Sequence, residues 1–171
     1  NPLRVRVKET GEGPHTFFQN PLNSYQYLVS EFCTGINGYN FCEAPAFRGV
    51  SARPAFLSAF ALAALRIFAD TASEDRVLRD FKLENMLVTR SGFTFFDPGV
   101  ITELGSDLTP TGHVLGTPEF MSPEQALGLP LDFRSDLYSL GVCLFYFATK
   151  KFPFEGATGY EIMMKHATEP V

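Results

Sequence analysis

A short charged segment interrupts the apolar middle of this chain and limits the folds that the sequence can adopt. The segment "VLRDFKLENMLV" carries four polar residues within six positions: Asp80, Lys82, Glu84 and Asn85. Before it, "PAFLSAFALAALRIFA" has Ala, Leu and Phe on nearly every helical face, and after it "MLVT" and "FTFF" are β-rich and separated by the turn "RSG". The pattern therefore predicts a buried helix over about 55–71, then a polar loop, then a β-hairpin.

The composition narrows the class of protein and of partner. Of the 171 residues, 45% are hydrophobic and 19% are charged, which is typical of a soluble globular domain with one core. The net charge of -5 argues against nucleic acid or anionic lipid, because either would normally be met by a basic face. We therefore expect a protein or small-molecule partner and no nucleic acid.

The sequence predicts neither a membrane segment nor a metal site built from cysteines. We expect no signal peptide, and the apolar run is shorter than a spanning helix and includes Arg66. Cys33, Cys42 and Cys143 lack metal-ligand spacing, so we expect reduced thiols and a cytoplasmic location. The three histidines are scattered, and we expect them at the surface or rim.

The parts of the chain before and after this middle region carry weaker signals. "NPLRVRVKETGEG" and "SYQYLVSEF" are β-rich and should form two strands, and a connector rich in Gly, Pro and Asn follows over 33–54. Residues 97–122 have no sustained period and predict a long loop, which in a compact domain is usually functional.

Two further helices are predicted toward the end of the chain. "SDLYSLGVCLFYFAT" should be a second buried helix with Ser135 as its N-cap. Its apolar face is expected to include Leu137, Leu140 and Leu144. "GYEIMMKHA" predicts an amphipathic helix with Ile162 and Met163 facing the core.

The order of the polar motifs resembles that of a protein kinase. In that family a catalytic loop H-R-D-L-x-x-x-N precedes a hairpin that ends in D-F-G, and the following segment closes with A-P-E. This chain supplies the counterparts in order: Arg79-Asp80, Asn85, Asp97-Pro98-Gly99 and Ser122-Pro123-Glu124. "GTPEFMSPEQALG" and "DFRSDLYSLGVCLFYFATKKFPFEG" look like the activation-segment end and central helix of bacterial eukaryotic-like Ser/Thr kinases.

The resemblance covers essentially all 171 residues and implies an α+β, protein kinase-like fold. Residues 1–33 would be the end of the small lobe and the hinge. Residues 34–171 would be the helical large lobe without its final helices.

The resemblance also implies a catalytic group. Asp80 would orient the acceptor hydroxyl or take its proton, and Lys82 would reach the transferring phosphate. Thr117 would tie these two together and, with Lys82, favours Ser/Thr over Tyr as the acceptor. Asn85 and Asp97 would hold Mg²⁺, which prefers oxygen ligands beside substrate phosphates. Taken alone, the charged segment could be an ordinary polar turn.

Other positions would bind ATP or support the fold. Backbone groups between Glu31 and Cys33 would pair with the adenine edge, and Leu87 would lie beneath the ring or serve only as strand core. Asp136 would hold the catalytic-loop backbone. Glu124 would be structural, and it would be buried without the arginine that pairs with its counterpart in the family.

The resemblance also implies a regulatory role for Arg79, and the chain departs from the family pattern at two positions. Arg79 would bind a phosphate on Thr109 or Thr111, although both could be plain loop threonines. Leu78 stands where the family usually has His, and Pro98 where it usually has Phe. In the family both positions contribute to a stacked apolar column that links the lobes, so that column should be repacked or weakened here.

Two functions remain open from the sequence. These residues contain no Gly-rich phosphate loop and no V-A-I-K lysine, so we expect the isolated chain to be inactive. The intact polar motifs indicate that the parent is a Ser/Thr kinase, which transfers the γ-phosphate of ATP to a protein hydroxyl. The alternative is a pseudokinase that binds nucleotide or protein without transfer.

Overall fold

The computed structural model describes residues 15–19, 26–30, 35–47, 49–73, 76–89, 92–95, 102–103 and 117–171. The chain divides into two compact units, Asn1–Thr34 and Gly35–Val171. The predicted functional division after Cys33 stays a prediction.

The first unit contains an antiparallel pair of strands. Strand β1 (His15–Gln19) pairs with β2 (Gln26–Ser30), with Phe17 opposite Leu28. β2 lies in the predicted "SYQYLVSEF" strand. β1 was not predicted, although "HTFFQ" is rich in strand-forming Thr and Phe and is bounded by prolines. The strand predicted over "NPLRVRVKETGEG" lies outside the described residues.

The second unit has a three-stranded antiparallel sheet, which carries the predicted hairpin. Its order is β3 (Ile36–Asn37), β5 (Met86–Thr89) and β6 (Gly92–Phe95). Separately, β4 (Arg76–Val77) pairs with β7 (Thr102–Glu103). The hairpin is confirmed, whereas the two-residue strands are too short to give a periodic signal.

Helices account for most of the regular secondary structure described in the second unit. They are α1 (Gly38–Glu43), α2 (Pro54–Ser73), α3 (Pro123–Ala126), α4 (Phe133–Thr149) and α5 (Gly159–Thr168). Short 3₁₀ turns occur at Pro45–Phe47, Leu83–Asn85 and Pro118–Phe120.

Helix α1 lies inside the segment that was predicted to be only a connector. The Asn37 side chain caps it by accepting bonds from the Tyr39 and Asn40 N–H groups, at 2.9 and 3.3 Å. At Gly38 a Cβ atom would lie 2.7 Å from Met86 Cγ, so the close approach of helix and sheet requires glycine. Glycine and asparagine made this stretch resemble a loop, but here they serve as helix cap and contact.

Helices α2 and α4 enclose the core of the second unit. Phe60, at 0% exposure, contacts the rings of Phe93 at 5.3 Å and Phe147 at 4.8 Å between centroids, both edge to face. The prediction that α2 is buried on nearly every face was wrong, because Leu62 is 61% exposed and Leu65 42%. Only one stripe of the helix packs against the core.

Helix α2 is also the one described helix that is long and apolar enough to cross a membrane by length and composition. It has 20 residues and a mean hydropathy of 1.5. The sequence prediction excluded a membrane span because the apolar run was too short, but the length of the helix does not exclude one. This is weak evidence, since the core helix of a soluble protein meets the same criteria.

Helix α4 begins earlier than predicted. Its N-cap is Asp132, whose carboxylate accepts the Arg134 N–H at 2.8 Å, and not Ser135, which lies within the first turn. Leu140 is buried as expected, but Leu137 is 36% exposed. Leu144 is partly buried and packs against the core as expected. The other buried residues of the helix are Ser135, Asp136, Ser139, Val142, Cys143, Tyr146 and Phe147. Two cap-forming residues three positions apart made the sequence signal ambiguous.

Helix α5 confirms the predicted amphipathic segment, since Ile162 and Met163 are buried. The expectation that the histidines lie at the surface or rim was wrong for His166, which is 3% exposed and whose Nδ1 lies 2.8 Å from the Tyr138 hydroxyl oxygen. Burial lowers the pKa of His166.

Candidate active site

A lysine joins two residues that lie far apart in the sequence. Lys82 Nζ lies 2.7 Å from Asp80 Oδ2 and donates a hydrogen bond to Thr117 Oγ1 at 2.9 Å. The Lys82 and Asp80 side chains are 19% and 21% exposed, so water screens the pair only in part. The buried Leu83 anchors the turn that follows. The three predicted residues therefore form one polar cluster.

Asn85 completes the cluster. Its Nδ2 donates to the Asp80 backbone oxygen at 3.1 Å and to Asp80 Oδ2 at 3.0 Å. Both bonds use the nitrogen, which leaves Oδ1 as an oxygen ligand suited to Mg²⁺. This single amide oxygen is a ligand of the type that a hard cation accepts. Asp97, the second predicted ligand, lies outside the described residues.

A tight turn precedes Asp80 and is held by a buried carboxylate. The Asp80 N–H donates to the Leu78 carbonyl at 2.8 Å, and Arg79 between them has φ of 64°, which makes this a γ-turn with a left-handed centre. Such a conformation costs about 1–3 kcal/mol in a non-glycine residue. Asp136 offsets it by accepting the Leu78 and Arg79 N–H groups at 3.0 and 3.1 Å.

The environment of Asp136 opposes its charge. The residue is 2% exposed, and burial raises its pKa to about 6, although the two backbone N–H bonds act in the other direction. A carboxylate in this place must keep both donors to remain ionised near neutral pH.

Phenylalanines support the loop from below. Phe81 is 4% exposed and stacks on Phe95 at 5.1 Å, while Phe68 meets it edge to face at 4.9 Å. Leu78 packs against the same core. An aromatic cluster therefore connects the segment that carries Asp80 with strand β6. Pro98, the other departure from the family pattern, lies outside the described residues.

Glu124 has a partner within the chain. Ser135 Oγ donates to its Oε1 at 2.5 Å, and the residue is half-buried. The expectation of a buried carboxylate left unpaired was therefore wrong: Ser135, which does not cap α4, donates to it instead.

The remaining predicted positions are only partly described. Leu87 lies on β5, is half-buried, and pairs with Asn37 and Thr94. The following predicted residues lie outside the described part of the chain and stay predictions: Glu31, Cys33, Asp97, Thr109 and Thr111.

Two residues that the sequence analysis did not consider also contact the loop. Gln125 Nε2 donates to the Arg79 carbonyl at 2.7 Å, and Asn37 Nδ2 donates to the Glu84 carbonyl at 2.8 Å. A signal for Gln125 exists, since Ser122 and Gln125 have the spacing of a capping box. The pattern does not reveal which distant carbonyl the amide would reach.

Comparison with known proteins supports the resemblance. A family model described as protein kinase domain matches residues 15–170. The chain belongs to the protein kinase family. Its fold class, mostly helical with a small antiparallel sheet, agrees with a partial kinase domain.

Similar curated proteins are bacterial Ser/Thr kinases. The chain is 41% identical over 115 residues, or 61% of its length, to Serine/threonine-protein kinase pkn3 of Myxococcus xanthus. It is 32% identical over its whole length to Probable serine/threonine-protein kinase PknB of Lactococcus lactis. It is 39% identical over 68% of its length to the DNA damage-responsive kinase RqkA of Deinococcus radiodurans. The chain spans 21%, 26% and 18% of these three relatives.

Proposed function

We propose that the protein carrying this kinase chain transfers the γ-phosphoryl group of ATP to a serine or threonine hydroxyl of a protein. The observation that carries the proposal is the Lys82 ammonium between Asp80 at 2.7 Å and Thr117 at 2.9 Å. Phosphoryl transfer requires an aligned hydroxyl and positive charge where negative charge gathers, and little covalent work by the protein. In the cluster, Asp80 can align the acceptor hydroxyl and Lys82 supplies the positive charge.

Each member of the cluster has a separate task. The Asp80 carboxylate orients the acceptor hydroxyl and takes its proton as the oxygen attacks. Lys82 places its charge against the transferring phosphate, and Thr117 fixes the position of Lys82. Thr117 lies just before the 3₁₀ turn Pro118–Phe120, so its bond with Lys82 ties that turn to the loop that carries Asp80.

The nucleotide and metal sites follow from the family. Asn85 and Asp97 would hold Mg²⁺, which neutralises charge on the phosphate oxygens when bound. Backbone groups from Glu31 to Cys33 would bind the adenine edge, with Leu87 beneath the ring. Support comes from the Asn85 carboxamide, whose nitrogen is occupied by Asp80 while its oxygen is left for a cation.

A catalytic rather than a purely binding role is favoured by the intact cluster. A pseudokinase needs neither a lysine held on the Asp80 carboxylate nor a threonine that holds the lysine. The named relatives are all Ser/Thr protein kinases, which favours Ser/Thr acceptors. The acidic net charge of -5 favours protein partners over nucleic acid, and a cytoplasmic location is part of the proposal.

Regulation would act through Arg79. We propose that phosphate on Thr109 or Thr111 pairs with its guanidinium and orders the segment between them. Replacement of both threonines by alanine should lower activity. If either threonine can serve in place of the other, each single replacement should leave activity unchanged. Unchanged activity and unchanged hydrogen exchange in the double variant would remove this part of the proposal.

The main test compares two aspartate variants of the natural-length protein. Asp80→Asn should lower phosphate transfer from labelled ATP to casein by about 10³-fold or more, because the base is lost. Asp70→Asn is the matched control, since Asp70 is exposed on α2 and its side chain has no role in the cluster. Equal transfer by wild type and Asp80→Asn contradicts the proposal, as does no transfer by wild type.

A further inference from the structure

We propose that Gln125 is a positioning residue for Asp80, which it aligns by holding the carbonyl of Arg79. The inference rests on the proposed function and extends it to a residue with no assigned part. Gln125 ends the first turn of α3, 46 residues after Arg79, and its Nε2 donates to the Arg79 oxygen at 2.7 Å.

The Arg79 carbonyl matters because it belongs to the peptide group that ends at the Asp80 nitrogen. That peptide is planar, so the direction of the carbonyl sets the orientation in which the Asp80 backbone begins. The Asp80 side chain then extends from this backbone to Lys82 and Asn85. A rotation of the carbonyl would move the carboxylate away from the acceptor hydroxyl.

The turn is strained and needs external partners. Arg79 has φ of 64°, and the turn is closed by the bond from the Asp80 N–H to the Leu78 carbonyl. Asp136 holds the two N–H groups of Leu78 and Arg79. Gln125 holds the Arg79 carbonyl, so each side of the turn is tied to a different helix, α4 or α3.

The orientation of the Gln125 amide follows from its partners. Its Oε1 accepts the Ser122 N–H at 3.0 Å, which an NH₂ group does not do. Nε2 is therefore the atom that faces the Arg79 carbonyl, and it donates there. The two ends of one side chain serve two different segments.

Capping of α3 does not account for the second contact. The capping box requires an acceptor at Gln125 for the Ser122 N–H, and glutamate meets that need as well as glutamine. Only glutamine adds a donor for the Arg79 carbonyl. The choice of amide over carboxylate is explained by that carbonyl.

Two variants separate capping from positioning in the natural-length protein. Gln125→Glu keeps the acceptor for Ser122 and replaces the donor by an oxygen that repels the Arg79 carbonyl. Ser122→Ala removes the cap bond to the Gln125 N–H, 3.2 Å in the native structure, and leaves the Gln125 amide in place. We expect Gln125→Glu to lower kcat by about tenfold with the KM for Mg-ATP unchanged, because a small misalignment of a reacting group is costly. Ser122→Ala should lower the unfolding temperature while kcat stays within about twofold of wild type.

Hydrogen exchange provides a readout that does not depend on activity. The amides of Arg79 and Asp80 should exchange faster in Gln125→Glu and at the wild-type rate in Ser122→Ala. Unchanged exchange in Gln125→Glu overturns the proposal whether or not the protein transfers phosphate. An equal loss of kcat in both variants also overturns it, since the effect would then belong to α3 stability. Absence of transfer by wild type refutes the proposed function instead, and the exchange result alone then decides whether Gln125 holds the turn.

Discussion

The contrast between Phe60 and Leu62 gives the sharpest test of how α2 packs. Phe60 is fully buried and contacts four other phenylalanine rings, Phe81, Phe93, Phe95 and Phe147. Phe60→Ala removes a whole ring from a site enclosed by other rings, so the lost transfer energy and the cavity together should cost about 3–5 kcal/mol. That is a large part of the about 5–15 kcal/mol that stabilises a typical domain.

Leu62→Ala on the same helix is the matched control. Leu62 is 61% exposed, so its truncation should change the free energy of unfolding by less than about 0.5 kcal/mol. Urea unfolding of the natural-length protein, followed by hydrogen-exchange mass spectrometry on peptides from α2 and α4, isolates this unit. With a urea dependence of roughly 2 kcal/mol per molar, Phe60→Ala should lower the midpoint by roughly 2 M. Equal midpoint shifts for the two variants would refute the packing described for α2.

Three further perturbations test other parts of the structure. Thr117→Val removes the hydroxyl that holds Lys82 and should lower kcat by about tenfold, whereas Thr117→Ser should retain most of it; steady-state kinetics decide. Gly38→Ala places a Cβ 2.7 Å from Met86 Cγ and should cost about 1–3 kcal/mol, seen as a lower urea midpoint; an unchanged midpoint would show that α1 can shift freely. Because burial lowers the folded-state pKa of His166, its contribution to stability is fully present above pH 6.5 and is lost as the pH falls below it. Below pH 6.5 the urea midpoint should fall less steeply with falling pH in His166→Gln than in wild type. An identical slope in both proteins would contradict the lowered pKa of His166.

The long elements were predictable because their signals are local and repeated. The hairpin of β5 and β6 and the helices α2, α4 and α5 have enough residues for apolar spacing to decide between helix and strand. Helix α1 has six residues, so its existence depends on one cap and one close contact, which no periodicity shows. Burial around a helix was equally hard to predict, as Leu62 shows, because composition does not tell how many faces find a neighbour.

The candidate site divides in the same way. Asp80, Lys82 and Asn85 lie within six residues, so the motif places them together whatever the rest of the chain does. Thr117 was assigned through the family resemblance, since nothing local connects it with Lys82. The bond from Gln125 to the Arg79 carbonyl spans 46 residues and involves a backbone atom, for which the sequence carries no side-chain code.

The separation of these partners along the chain also sets an order of events during synthesis. Asp136 follows Leu78 by 58 residues, so the turn before Asp80 leaves the ribosome without the carboxylate that holds it. At about 5–20 residues per second, roughly 3–12 s pass before that carboxylate is made. During this interval the Leu78 and Arg79 N–H groups cannot donate to the Asp136 carboxylate. Those two bonds therefore do not yet offset the cost of the positive φ that Arg79 has in the folded turn. The two hydrogen bonds that hold the turn therefore form only after Asp136, in the first turn of α4, has been translated.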